Sequence, residues 1–422
     1  MIAALFGIFF CLVGLAVPIG FAMGISSIAF VLWEGAETAV PFQRMAAGVG
    51  SFTLVALPLF VLAGSIMHYG GISPKLMRLV NCLIGHVSGG LAMVASISSC
   101  LFGFVTGSSV ADVAAIGSIM MPEMVKKGYA KGYTATLQAC TGVLGGVIPP
   151  SILLVVIGVA GGVSIGNLLL AAAIPGWFIG MCLMVTGVVI ARKRNYQPRG
   201  ERVSARETLS AFRDASWALL TPVIVLGGIY SGIFTPTEAA GVCVVYALLL
   251  GLVVYRTIRI SQLYEIFREA INVSCAILMI IACGNTFSWL MAAHRGPEII
   301  NNYVLSITRD PLGVYLLVMV VVLILGMVME GTSIAIIFIP VFMPLMKSLG
   351  VDPVHFGVVF ALNINIGAIT PPVAVCLMTA CRIIGIRYPP PFRDVFPFVG
   401  TMILALLILV LFPQITLFLV KM

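Results

Sequence analysis

The sequence predicts an all-α polytopic membrane protein. It is expected to be an inverted repeat, each half carrying five spans, one re-entrant helical hairpin and one discontinuous helix. Three observations predict this class. Of the 422 residues, 61% are hydrophobic and only 9% charged, with a mean hydropathy of +1.16; a water-soluble chain of this length needs far more charge on its surface. Two apolar runs are interrupted by paired prolines, Pro149-Pro150 and Pro371-Pro372. Those pairs lie 222 residues apart, and the same shift carries Pro122 to Pro344, Gly128 to Gly350 and Gly145 to Gly367, while Pro18 and Pro236 match at 218. Matched prolines and glycines at one spacing mean more than matched apolar residues, which such a composition produces by chance.

Taken in order, residues 1–70 hold the first scaffold spans, in apolar runs at 1–17, 18–33 and 52–68. The stretch with Glu34 and Glu37 reads as a loop. The first run has no basic residue before it, so it is expected to be a retained span rather than a cleaved signal. Residues 74–86 place Lys75 and Arg78 among apolar positions, the pattern of an amphipathic arm lying at the interface. Residues 89–105 and 110–125 are each shorter than the ~20 a full span needs, and Thr-Gly-Ser-Ser separates them. They predict a hairpin over 89–125 that enters and leaves on one side. Residues 134–162 form the first broken helix, and 168–191 close the first repeat, 1–191.

Residues 192–214, basic and polar with Pro198 and Gly200, read as a linker. The second repeat, 215–422, opens with scaffold spans over 216–293 (216–234, 238–255 and 271–293) and a short amphipathic arm at 261–270. A second hairpin over 312–346 has Glu330 and Gly331 at its tip. The second broken helix covers 356–381 and the last span 398–419. An odd number of crossings per half inserts the second half upside down. With the linker in the cytoplasm, eighteen of the 23 basic residues fall on that side, and only Arg44, Arg295, Arg309, Lys347 and Lys421 on the other. That is the asymmetry of the positive-inside rule. Both termini are then expected to face outward.

Composition also excludes function classes. The net charge of +8 sits in short loops that set topology, so no nucleic-acid partner is expected; the partner of the apolar surface is the lipid bilayer. The ten cysteines lie almost wholly in apolar segments without CxxC or metal-ligand spacing and read as small buried hydrophobes. No HExxH, paired intramembrane aspartates or Ser/His arrangement points to an enzyme. A purely structural subunit would leave helix breaks in both halves without a purpose.

The breaks carry the chemistry. Pro149 and Pro150 have no N–H, so the carbonyls of Gly145 and Gly146, four residues back, are expected to lose their helical partners. Irregular backbone at membrane depth is tolerated only inside protein or along a cavity. The half-helix before each break presents carbonyls that attract a cation such as Na⁺, with Gly107, Gly145, Gly146, Gly331 and Gly367 as candidate carbonyl donors. The half-helix after each break begins with free N–H groups that attract a carboxylate. Ser108, Ser109, Thr332 and Ser333 at the hairpin tips, with Ser151 and Thr370 beside the breaks, supply hydroxyls that can serve either ion; Ser109 is a candidate for both. Asp112 and Glu330 are candidate cation ligands, with helix-end capping as the alternative. The amides of Asn363 and Asn365 suit a hard cation, or else join helices. Two breaks and two tips thus point to a cation-coupled anion carrier, with Na⁺ as the candidate transported coupling ion.

The chain resembles the large membrane subunit, the DctM-like permease, of the TRAP (tripartite ATP-independent periplasmic) transporters. The residues that carry the resemblance are 107–112 (Gly-Ser-Ser-Val-Ala-Asp), 148–151 (Ile-Pro-Pro-Ser), 234–239 (Phe-Thr-Pro-Thr-Glu-Ala) and 366–373 (Ile-Gly-Ala-Ile-Thr-Pro-Pro-Val). Ala374 departs from the pattern, where many relatives carry Gly. The resemblance implies a Na⁺-driven importer of a C4-dicarboxylate, sialic acid or keto-acid in the bacterial inner membrane. It also implies a periplasmic substrate-binding protein, a small four-helix membrane subunit on a separate chain, and an elevator-type fold in which a transport domain slides against a scaffold. A stand-alone Na⁺/dicarboxylate symporter of the wider ion-transporter type would use the same hairpins.

Overall fold

In the computed structural model the protein is described over residues 2–196 and 203–421, which leaves Pro198 and Gly200 of the linker outside the described residues. The described residues form helices and short connections, and no strand occurs among them. Among the described residues, seven helices are long and apolar enough to cross a membrane; the hairpin limbs and broken helices are mostly shorter apolar pieces. The architecture is that of a multi-pass membrane protein.

Each hairpin is two helices. The first has limbs Gly90–Thr106 and Ser109–Lys126, and the second has limbs Pro311–Gly326 and Gly331–Ser348. Each is followed by a broken helix: Lys131–Gly142, a 3₁₀ turn at Val143–Gly146 and Ile152–Gly161 in the first half, Pro353–Gly367 and Val375–Ile384 in the second. The correspondence is close, because Ser109–Lys126 and Gly331–Ser348 are both 18 residues long and start 222 positions apart. Lys131 and Pro353, which open the two broken helices, are 222 apart as well. The hairpin tips meet at one place, as an inverted repeat requires.

Sequence chemistry explains where these helices start. Asp310 accepts from the Gly313 N–H at 2.8 Å and Asp352 from the Val354 N–H at 2.8 Å, each just before a proline at the first helical position. Thr235 and Glu238 form a reciprocal capping box ahead of the helix Pro236–Leu249. In the second break Ala374 takes φ +46°, the left-handed region that a side chain strains; this is the position where the sequence departs from glycine.

Packing within each half uses small residues. A Cβ on Gly367 would lie 2.5 Å from the Gly326 backbone, so the second broken helix and the first limb of its hairpin cross in direct backbone contact. In the first half Gly103 faces Gly145 in the same way, with a Cβ-to-backbone distance of 3.2 Å. On the linker side, Arg194 donates to Asp394 at 2.5 Å and lies over the Tyr133 ring at 5.9 Å, which ties the ends of the two repeats together.

Four expectations are corrected. Residues 261–270 are not a separate arm, because Ile260–Ala293 is one helix of 34 residues. The amphipathic helix that matches Ile72–Ile84 at the repeat shift is instead Gly296–Ile307, which meets Pro311–Gly326 at a bend of 118°. The acidic loop of the first half is shorter than expected, since Ala39–Val49 is helical. The linker 192–214 is shorter too: a helix starts at Ala205, because Ser204 caps it by accepting from the Glu207 N–H at 3.3 Å.

Candidate functional site

The first hairpin turns at Gly107 and Ser108. Gly107 has φ +63°, and a Cβ there would lie 2.3 Å from the Pro150 carbonyl oxygen. Only glycine satisfies both conditions. The turn is locked to the break, since the Ile152 N–H donates to the Gly107 carbonyl at 3.2 Å. The second hairpin repeats the device, with the Val373 N–H donating to the Met327 carbonyl at 3.2 Å. In each half, therefore, a residue just past the diproline, the second in the first half and the first in the second, bonds back to the end of the hairpin's first limb. The breaks position the tips.

The tips differ in charge. At the second, Glu330 accepts from the Thr332 and Ser333 N–H groups at 3.0 and 3.3 Å and from the Thr332 hydroxyl, so that helix start is capped by a carboxylate. At the first, Ser108 precedes the helix in extended conformation and makes no side-chain cap. Its helix N-terminus keeps unpaired N–H groups and the positive end of the dipole.

Both tips, both breaks and the long helix Ile260–Ala293 line one cavity of about 160 Å³. Gly107, Ser108, Ser109, Gly146, Glu330, Gly331, Thr332 and Asn365 all lie on it. Ser109 is the junction between halves: its hydroxyl donates to Asn365 Oδ1 at 2.7 Å and approaches the Val143 carbonyl at 3.1 Å. Gly146 lies against the same pair, since a Cβ there would meet Ser109 Oγ at 2.2 Å and Asn365 Oδ1 at 3.1 Å. The hydroxyl, the amide oxygen and the carbonyl make a cluster of hard oxygen donors suited to an alkali cation.

Other expected residues lie behind this surface. Asp112 is fully buried, and both its carboxylate oxygens lack a hydrogen-bond partner among the described residues. It lies against Gly145, whose added Cβ would approach Asp112 Oδ2 to 2.9 Å. Ser151 donates to the Gly146 carbonyl at 2.5 Å and caps the following half-helix by accepting from the Leu154 N–H, so the Gly146 carbonyl expected to be bare has a partner. Asn363 donates to the Met319 carbonyl at 2.6 Å and joins its helix to the second hairpin. Thr370 bonds back to the Ile366 carbonyl at 2.7 Å. Ser333 is buried, its hydroxyl without a partner among the described residues, and Gly367 forms the crossing with Gly326. None of these lines the cavity.

Sequence reasoning missed the apolar wall. Ile152 and Leu153, just past the first break, and Val273 and Ile277, on the long helix, are part of that wall, as are Met329 and Ile364. Ile152 and Leu153 had a signal in their position beside the break; Val273 and Ile277 had none, because any turn of an apolar helix looks alike.

Comparisons with known proteins identify the family. Residues 6–415 match the family described as tripartite ATP-independent periplasmic transporter, DctM component. The chain is 36% identical to the sialic acid TRAP transporter large permease protein SiaM of Vibrio cholerae, covering 99% of this chain and 98% of that one. It is 38% identical to the C4-dicarboxylate TRAP transporter large permease protein DctM of Pseudomonas aeruginosa, over 87% and 86% of the two chains. The 2,3-diketo-L-gulonate TRAP transporter large permease protein YiaN of Escherichia coli is 34% identical, over 96% of each chain. Among solved structures, the YdaH transporter of Alcanivorax borkumensis superposes with a TM-score of 0.62 at 14% identity over 88% of each chain. MtrF of Neisseria gonorrhoeae does so at 0.57 and 13% identity, over 88% of this chain and 82% of that one; at such identities the likeness is one of fold. The chain is a transporter subunit rather than an enzyme, and it belongs to the DctM component family, the large permease subunits of the tripartite ATP-independent periplasmic transporters.

Proposed function

We infer that this permease carries a small organic acid together with Na⁺ through the cavity between the two hairpin tips. One observation carries the reading: among the described residues, the only charged side chain on the cavity wall is acidic, Glu330, with no lysine, arginine or histidine beside it. The buried carboxyl group of Asp112 lies just behind. An organic anion entering such a site meets negative charge, and its binding needs cations to enter with it. The oxygen cluster of Ser109, Asn365 and Val143 offers one cation a place. The uncapped helix N-terminus at Ser108 and Ser109 offers the carboxylate another, and Ile152, Leu153, Val273 and Ile277 suit its carbon chain. The substrates in the names of three similar permeases, sialic acid, a C4-dicarboxylate and 2,3-diketo-L-gulonate, are organic acids.

On this reading a periplasmic binding protein delivers the acid, and a small membrane subunit on a separate chain completes the complex in the bacterial inner membrane. The hairpins and broken helices move as a transport domain against the scaffold helices, elevator-fashion. The linker faces the cytoplasm and both termini the periplasm. Initial uptake by the reconstituted complex tests the coupling: it should require Na⁺ and the acid-loaded binding protein. Equal rates in K⁺-only buffer would remove Na⁺ from the mechanism. Full uptake of free acid without the binding protein would favour a stand-alone symporter.

A further inference from the structure

The two halves mirror each other within the hairpins, but not where the hairpins meet the scaffold helices. Gly64, on the span Phe52–Tyr69, stands at the tip of the first hairpin: a Cβ there would lie 3.2 Å from the Thr106 carbonyl oxygen, at the end of the first limb. Its counterpart, 220 positions on, is Gly284 of the helix Ile260–Ala293. Mirror symmetry would set Gly284 at the tip of the second hairpin, near Val328, which is Thr106 carried forward by 222. Instead a Cβ on Gly284 would run into the Ile336 side chain, and the Ser288 hydroxyl, one turn on, donates to the Ile336 carbonyl at 3.0 Å. Ile336 lies on the second limb, which starts at Gly331. Five residues at 1.5 Å each put this contact about 7–8 Å from the tip.

The mismatch leaves one face bare. On the second hairpin Thr332 and Ile336 are buried, at 6% and 5% exposure. Pro340, a turn further, lines a second cavity of about 120 Å³ together with Asn285 and Ser288. The residues 222 positions earlier are Val110, Ala114 and Ser118. They share one face of the first hairpin's second limb, and all three are exposed, Val110 at 41%. The direction of the offset can be read as well. Just after Phe52–Tyr69, Lys75 lies over the Tyr255 ring and Arg78 pairs with Asp214, so that span ends on the linker side. The base of the first hairpin is there too, with Gly89 against Ala191. The inverted second hairpin opens on the other side. Its tip therefore lies on the linker side of Gly284, and the hairpins with their broken helices are shifted toward the linker.

We propose that this arrangement is one of two mirror-related states, and that the other exchanges the contacts: Gly284 comes to the second tip near Val328, and Phe52–Tyr69 closes over Val110, Ala114 and Ser118. The proposal rests on the reading that the hairpins and broken helices move against the scaffold helices, and gives that motion a direction, a distance and a surface. Inverted repeats make such an exchange a natural second state, because each half then adopts the packing its counterpart already shows. The moving unit travels about 7–8 Å away from the linker, the five-residue offset between the two halves. With the linker in the cytoplasm, the present state faces inward. The small side chains of the bare face give the span a surface on which its backbone can pack closely.

Cross-linking tests the exchange in the complete complex, with the ten cysteines of this chain replaced. Ser288→Cys with Pro340→Cys marks the present state, since both residues line the second cavity. The mirror pairs, Ser65→Cys with Ala114→Cys and His68→Cys with Ser118→Cys, mark the other. Mercuric ion should bridge all three pairs, and each bridge should stop uptake until excess dithiol removes the metal. Mirror pairs that do not cross-link, or that cross-link without stopping uptake, overturn the proposal. A second measurement needs no cross-link. Ala114 is exposed, so Ala114→Trp should leave the melting temperature unchanged yet lower uptake about tenfold or more, because the span can no longer close over it. Wild-type uptake by Ala114→Trp also overturns the proposal. Failure of the wild-type complex to take up any organic acid would instead sink the functional reading; the cross-links, read on the protein itself, separate the two.

Discussion

Gly107→Ala is the sharpest perturbation of the hairpin-to-break contact. Two costs arise at this residue. Alanine in the left-handed region costs about 1–2 kcal/mol, and φ here is +63°. The new Cβ would also sit 2.3 Å from the Pro150 carbonyl oxygen, an overlap with backbone that typically costs a further 1–3 kcal/mol as the tip moves away. The total is roughly 2–5 kcal/mol. Gly128 provides the control, with φ +89° and nothing within 4 Å of an added Cβ; Gly128→Ala should cost only the conformational term, about 1–2 kcal/mol. Thermal unfolding of the purified protein should rank Gly107→Ala clearly below Gly128→Ala, and only Gly107→Ala should lose uptake after reconstitution. Equal stabilities, or wild-type uptake by Gly107→Ala, would refute the claim that the break positions the tip.

Four further outcomes are expected. Ser109→Ala and Asn365→Ala should each weaken apparent Na⁺ affinity about tenfold, near 1.4 kcal/mol, and a double-mutant cycle on Na⁺ dependence should show coupling, because the two side chains meet at 2.7 Å; strict additivity would separate them. Asp112→Asn should preserve expression but change the Na⁺ concentration dependence of uptake, and an unchanged dependence would reduce Asp112 to a packing residue. Asp394→Asn should lower stability by about 1–3 kcal/mol, less than for a fully buried pair, because the Arg194 side chain is 26% exposed; an unchanged melting temperature would show that the pair is idle. A cysteine introduced at Gly200 should react with an impermeant reagent only from the cytoplasm, and labelling in intact cells would invert the proposed topology.

The backbone logic of the site was legible in the sequence, and the side-chain partnerships were not. Paired prolines in apolar runs have a single physical consequence, loss of helical N–H donors, so both breaks and the repeat around them could be placed from the residues. Glycine and serine between two short apolar runs located the hairpin tips as directly. The hydroxyl of Ser109 meeting Asn365, 256 positions away, could not be read, since nothing in either stretch encodes the pairing. Nor could the fate of the Gly146 carbonyl, which Ser151 captures by reaching back across the prolines. The amphipathic helix Gly296–Ile307 was hidden because Arg295, Pro297, Glu298 and two asparagines made it resemble a loop; the repeat shift applied to Ile72–Ile84 would have found it. The single helix Ile260–Ala293 was divided because its polar first turns and apolar remainder read as two elements, although no proline or glycine separates them.

The location of the bound acid tests the central claim most directly. A structure of the complete complex, determined with its acid and Na⁺, should place the carboxylate within hydrogen-bond distance of the helix N-terminus at Ser108 and Ser109. It should also place a cation at the oxygens of Ser109 and Asn365. Density for the acid found only outside the cavity between the two tips, or an acid bound there with no accompanying cation, would contradict the account.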